Sequence, residues 1–154
     1  MTVCHPADNL DRSTLADWVG RAAFELKSVF ECLLGNLKQS SKLFMDETRA
    51  PVLDPGRRKT KTGYFWALAR EDAPWAGEDP PGVAFTYAPG RSGQYAEDIL
   101  SGFEGTLQVD GYAGYNRLLK RRQAPIKLAY CWAHARRKLY EVSKNSTAPI
   151  AEEG

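Results

Sequence analysis

Cysteine is scarce in this chain. Three cysteines occur in 154 residues, Cys4, Cys32 and Cys131, and no two form a Cys-x-x-Cys pair. An odd, scattered set argues against a disulfide framework and against a complete zinc site, and suits a reducing cytoplasm. Long apolar runs are missing too. None approaches the ~20 residues of a membrane-spanning helix, and the amino terminus lacks the basic-then-apolar order of a secretion signal, so no membrane partner is expected. Charge of one sign is not in excess either. With 21 Lys and Arg against 19 Asp and Glu the net charge is +2, so any nucleic-acid binding must rest on local basic patches. Internal repeats and low-complexity tracts are absent.

What is present fits one soluble globular domain, with 43% hydrophobic and 26% charged residues. Met1 to Asn9 reads as a loose lead-in. Asp11 or Ser13 can cap a following helix. In that helix Leu15, Trp18, Val19, Ala22, Ala23, Leu26, Val29, Phe30, Leu33 and Leu37 keep helical spacing over six turns. Gly35-Asn36 should end or fray it. Residues 1–40 are therefore a helical connector, or alternatively the remnant of a DNA-binding region.

Residues 41–144 carry an α/β pattern. Leu43–Leu53, Tyr64–Arg70 and Val83–Tyr87 read as three strands of an antiparallel meander. A short helix over Gln94–Phe103 crosses to a strand ending at Asp110. A helical turn follows over Tyr115–Lys120, then a strand over Ile126–Trp132 and a helix from Ala133. Three antiparallel strands, a helix, and two further strands with crossover helices make the order of a ribonuclease H-like mixed sheet. The tail, 145–154, with Pro149 and little apolar content, is expected to be disordered.

Two apolar runs meet carboxylates 64 positions apart: the first strand carries Asp46, and the fourth stops on Asp110. If the strands are neighbours, both carboxylates reach the sheet's active edge and suit Mg²⁺ or Mn²⁺, hard ions that prefer oxygen ligands. Asp110-Gly111 is also ordinary turn chemistry. Arg57, Arg58, Lys59 and Lys61 form a basic loop that is either a solvated hairpin tip or a phosphate grip. Cys131-Trp132-Ala133-His134 has half the spacing of a zinc site without a second half. His134 either contacts a phosphate or orients a carboxylate, or it packs and caps a helix. Arg136, Arg137 and Lys138 are a solvated helix face or a contact to a DNA backbone.

Several long segments resemble the bacterial insertion-sequence 66 family of transposases. They are Leu43-Phe44-Met45-Asp46-Glu47-Thr48-Arg49-Ala50-Pro51-Val52-Leu53-Asp54-Pro55-Gly56, Thr60-Lys61-Thr62-Gly63-Tyr64-Phe65-Trp66-Ala67, Leu107-Gln108-Val109-Asp110-Gly111-Tyr112-Ala113-Gly114-Tyr115-Asn116 and Ala129-Tyr130-Cys131-Trp132-Ala133-His134-Ala135-Arg136-Arg137-Lys138. With Arg12-Ser13-Thr14-Leu15-Ala16-Asp17-Trp18-Val19 the resemblance covers roughly residues 10–142. It implies a DDE transposase with a ribonuclease H-like core that cleaves transposon ends and joins them to target DNA. Asp46 matches the first catalytic and metal-binding aspartate and Asp110 the second. The third acid of such enzymes, a glutamate, lies beyond Gly154, and Glu152 and Glu153 are not matched to it. The chain therefore looks like a truncated, inactive fragment. A non-catalytic module that binds DNA, a full-length transposase or itself is the alternative, and a decayed product that folds poorly is the third.

Overall fold

The computed structural model describes residues 10–54, 56–75, 77–120 and 125–145. The lead-in before Leu10, the basic pair Arg121-Arg122 and the tail after Asn145 lie outside the described residues. In chain order the main elements are α1 (Arg12–Glu25), α2 (Lys27–Leu37), β1 (Lys42–Asp54), β2 (Lys59–Arg70) and β3 (Gly82–Ala88). Then come α3 (Gly93–Ile99), β4 (Gly105–Val109), a 3₁₀ segment (Ala113–Lys120), β5 (Ile126–Tyr130) and α4 (Trp132–Asn145). The protein is α/β, with one mixed five-stranded sheet in the order β3-β2-β1-β4-β5.

β1, β2 and β3 form the antiparallel meander expected from their short connections. β4 lies parallel to β1, and β5 parallel to β4. β1 and β2 stay paired from Phe44↔Ala69 out to Asp54↔Lys59, whereas β1 pairs with β4 only at Lys42 to Phe44. The outer part of β1 is therefore an edge with respect to β4. That explains how Pro51, which has no N–H to donate, is accommodated within a strand.

The single long helix expected from periodicity is two. At Leu26 the helix loosens (φ −81, ψ −4) without leaving the right-handed helical region, and its N–H still reaches Ala22 O at 3.0 Å. The break separates a packed helix from an unpacked one. α2 buries Leu37 and half-buries Phe30 and Leu34 against the sheet, whereas α1 buries nothing. Apolar spacing continues through the break because each half keeps its own stripe. α2 also runs through Gly35-Asn36 to Leu37, because Leu37 gains a buried place in the core.

Strand alternation selects the covered face. Leu43 and Met45 of β1, Trp66 and Leu68 of β2, and Leu107 and Val109 of β4 are buried. Over them lie Leu37 of α2, Ala96 and Ile99 of α3 with Leu100 and Phe103 beyond it, and Tyr115 and Leu118 of the 3₁₀ segment. Fully burying a side chain such as Leu or Phe contributes ~1.5–3 kcal/mol relative to exposure. Phe65, Val83, Phe85 and Tyr87, on the opposite face by register, remain 44–59% exposed. α4 contributes no buried residue among those described.

At the end of β2, Arg70 is buried and locks the sheet to its connections. Its Nε donates to Pro80 O at 2.9 Å and its Nη1 to Ser40 Oγ at 3.1 Å.

Candidate functional site

Parallel pairing fixes where the two sequence-predicted aspartates fall. Lys42 stands opposite Thr106, Leu43 opposite Leu107 and Phe44 opposite Gln108, an offset of 64 that would carry Asp46 to Asp110 if continued. Alternation turns Phe44 and Asp46 away from the buried face that holds Leu43 and Met45. Asp46 and Asp110 line one cleft of about 150 Å³, which Ala67, Gln108, Cys131 and His134 also border.

Each carboxylate is anchored locally. Asp46 is exposed, and its Oδ1 accepts from the Glu47 backbone N–H at 2.9 Å. Asp110 Oδ1 accepts from Tyr112 N–H at 2.8 Å across Gly111, whose φ of +92° makes glycine the fitting residue there. Asp110 Oδ2 lies 3.8 Å from Arg91 Nη2.

Sequence reasoning did not single out the group behind these aspartates. The Glu47 side chain is fully buried. Its Oε1 accepts from Arg91 Nε, and Arg91 Nη2 lies at 2.5 Å from the same oxygen. Its Oε2 accepts from the Tyr115 hydroxyl at 2.6 Å. Arg91 stacks over the Tyr112 ring at 4.0 Å, and the Tyr112 hydroxyl donates to Arg91 O at 2.6 Å. Tyr115 in turn meets Tyr112 and Trp66 edge to face, with ring centroids 5.9 and 6.1 Å away. Burial raises the Tyr115 hydroxyl pKa, and acceptance by Glu47 raises it further. Burial opposes the charge on Arg91, but the Glu47 bond and the Glu47 and Asp110 charges outweigh it and raise its pKa. The signal for this group was alternation itself: Leu43, Met45 and Glu47 share a face, and a carboxylate on a buried face needs a partner.

β5 brings the Cys-x-x-His pair to the cleft. Cys131 N–H donates to Val109 O at 2.9 Å, one residue before Asp110. Cys131 O accepts from His134 and Ala135 N–H, which starts α4. The His134 side chain, followed by backbone N–H groups of the same turn, lowers the Cys131 thiol to about 7. Imidazole Nδ1 of His134 is enclosed with no partner of strict hydrogen-bond geometry.

The basic candidates are not gathered at the cleft. Arg57, Arg58, Lys59 and Lys61 occupy the tip and return arm of the β1–β2 hairpin. Asp54, at the tip, is eight residues beyond Asp46, roughly 27 Å along an extended strand. Arg136, Arg137 and Lys138 are exposed on α4. Among the described residues no three His, Cys, Asp or Glu side chains are grouped closely enough to hold a metal ion. None of the described helices is long and apolar enough to cross a membrane.

The fold is α/β, and its cleft is lined by Asp46 from within β1 and by Asp110 just past the end of β4. The chain belongs to the transposase IS66 family, whose model matches residues 7–154. It is similar to uncharacterized protein y4jD of Sinorhizobium fredii, with 45% identity over 94% of this chain and 29% of that protein. It is also similar to uncharacterized proteins y4qI and y4hP of the same organism, at 40% and 34% identity, covering 27% and 24% of their lengths. The chain thus spans less than a third of these relatives.

Proposed function

We propose that this chain forms the amino-terminal part of a ribonuclease H-like DDE transposase core and contributes Asp46 and Asp110 to DNA cleavage and strand transfer. The observation that carries this reading is the meeting of Asp46 and Asp110 in one cleft of an IS66-family chain. The strand order β3-β2-β1-β4-β5, with three antiparallel and two parallel strands, supports a ribonuclease H-like assignment.

The two carboxylates fit Mg²⁺ or Mn²⁺. Both carry hard oxygen donors, and such ions complete their shell with water and substrate phosphate oxygens. When bound, the ion supplies an activated water and neutralises charge on the reacting phosphate. Asp46 and Asp110 would hold it. Arg57, Arg58, Lys59 and Lys61 bind the DNA backbone at a distance. About 27 Å of strand between tip and cleft corresponds to roughly eight base pairs of duplex. Arg136, Arg137, Lys138 and His134 contact DNA nearer the cleft. The setting is the bacterial cytoplasm, and the DNA partners are transposon ends and target.

Titration calorimetry of Mn²⁺ into the chain, beside Asp46→Asn and Asp110→Asn, tests the reading. Saturable binding lost in both variants is expected. Unchanged affinity in both ends the carboxylate-pair assignment.

The exposed sheet face and the unburied α1 favour a second reading, a non-catalytic module that associates with a full-length transposase or with itself. Sedimentation of the chain alone and with a full-length relative distinguishes it. A single monomeric species in both samples at micromolar concentration excludes it.

A further inference from the structure

We infer that Arg91, clamped by Glu47 and Tyr115, is a positioning residue for the Asp110 carboxylate. This rests on the reading of Asp110 as a metal ligand and extends it to residues outside the carboxylate pair. Four observations converge. Glu47 is fully buried and its two oxygens are divided between Arg91 and the Tyr115 hydroxyl. Tyr115 is itself buried and braced against Trp66, so the clamp is attached to the core and not to a loop. Arg91 sits over the Tyr112 ring, 4.0 Å from its centroid, and its Nη2 lies 3.8 Å from Asp110 Oδ2. The Tyr112 backbone N–H holds the other Asp110 oxygen at 2.8 Å.

Asp110 is thereby addressed from both sides. One oxygen is fixed by the backbone of its own turn and the other faces a cation whose place is set from β1. The arrangement connects the two strands that bear the candidate ligands, because Glu47 is the residue after Asp46. It also sets the charge. Asp46, Glu47 and Asp110 against Arg91 leave two net negative charges, the complement of one divalent ion. Arg91 is not itself a ligand, since a guanidinium cation has no acceptor atom to offer a metal. Carboxylates that ligate metals are themselves held by such outer partners, whose loss typically weakens metal affinity 10- to 100-fold.

The test uses the whole chain. Arg91→Gln alone leaves Glu47 buried without its cation and risks unfolding. The working variant is the double replacement Glu47→Gln with Arg91→Gln, which keeps a hydrogen-bonded pair of similar size, and Arg91→Lys returns the cation alone. Amide hydrogen exchange at Tyr112 reads the Asp110 bond without any metal. Exchange about tenfold faster in the double variant is expected, with other sheet amides unchanged and Arg91→Lys intermediate. In an Asp110→Ala background the same double replacement should add nothing, which a merely structural role of Arg91 would not produce. Mn²⁺ affinity should fall about tenfold in the double variant.

Wild-type exchange at Tyr112, or Mn²⁺ affinity equal to or tighter than wild type, overturns the inference. Faster Tyr112 exchange in a chain whose wild type binds no Mn²⁺ supports the positioning and rejects the metal reading instead.

Discussion

Adjacent acidic residues on β1 have opposite surroundings. Asp46 is exposed, and Glu47 is sealed against Arg91 and Tyr115. Asp46→Asn should leave thermal stability nearly unchanged. Glu47→Ala should cost about 2 kcal/mol or more, because bonds to a buried charged group contribute ~1.5–3 kcal/mol each and two partners are stranded. Urea unfolding of both variants checks the contrast. At Cys131 the lowered thiol predicts reactivity that persists to lower pH than for an ordinary cysteine. In a Cys4→Ser, Cys32→Ser background, iodoacetamide labelling should reach half its maximal rate near pH 7, since Cys131 titrates at about 7. Replacing His134 with Ala should move that midpoint upward, because its main cause would be gone. A midpoint unmoved by His134→Ala would remove the imidazole as the cause.

The strands bearing Asp46 and Asp110 were legible in the sequence because a continuous apolar run, Leu43 to Met45, meets the first carboxylate and the alternating Leu107 and Val109 meet the second. Arg91 was not. It lies between β3 and α3 with no periodicity around it, and only the fold brings that loop over β1 and β4. The break at Leu26 was equally hidden, because what divides α1 from α2 is tertiary packing and not local preference. Close backbone packing was hidden too. Gly93, at the start of α3, lies against the backbone of Gly114, and an added Cβ there would strike the Gly114 carbonyl. Gly93→Ala should therefore destabilise the chain by ~1–3 kcal/mol through overpacking, measurable as a lower thermal midpoint. The hairpin tip carries a separate prediction. Changing Arg57, Arg58, Lys59 and Lys61 to Ser should weaken DNA binding irrespective of sequence. It should also reduce the slope of log affinity against log salt by as much as ~0.9 for each phosphate left without its cation. An unchanged slope in a gel-shift salt series would return the loop to a solvated turn.

For the molecule as a whole, burial is one-sided. The sheet is covered by α2, α3 and the 3₁₀ segment on one face, while Phe65, Val83, Phe85 and Tyr87 remain exposed on the other. Isolated chain should therefore bind an apolar dye and associate as concentration rises, and Phe85→Lys should diminish both effects. Fluorescence titration and light scattering give the answer. The seam between β1 and β4 spans only Lys42 to Phe44, between segments 64 positions apart, whereas β1 and β2 pair out to Asp54. Closing that seam carries the loop entropy of a long connection, and little parallel pairing repays it. Asp46 and Asp110 stand on opposite sides of it. Under a pulling force the sheet should part there first, into a local meander and a parallel remainder. The carboxylates would then separate before either part unravels, and a ligand bridging them would act as a mechanical staple, raising the force at which the seam yields.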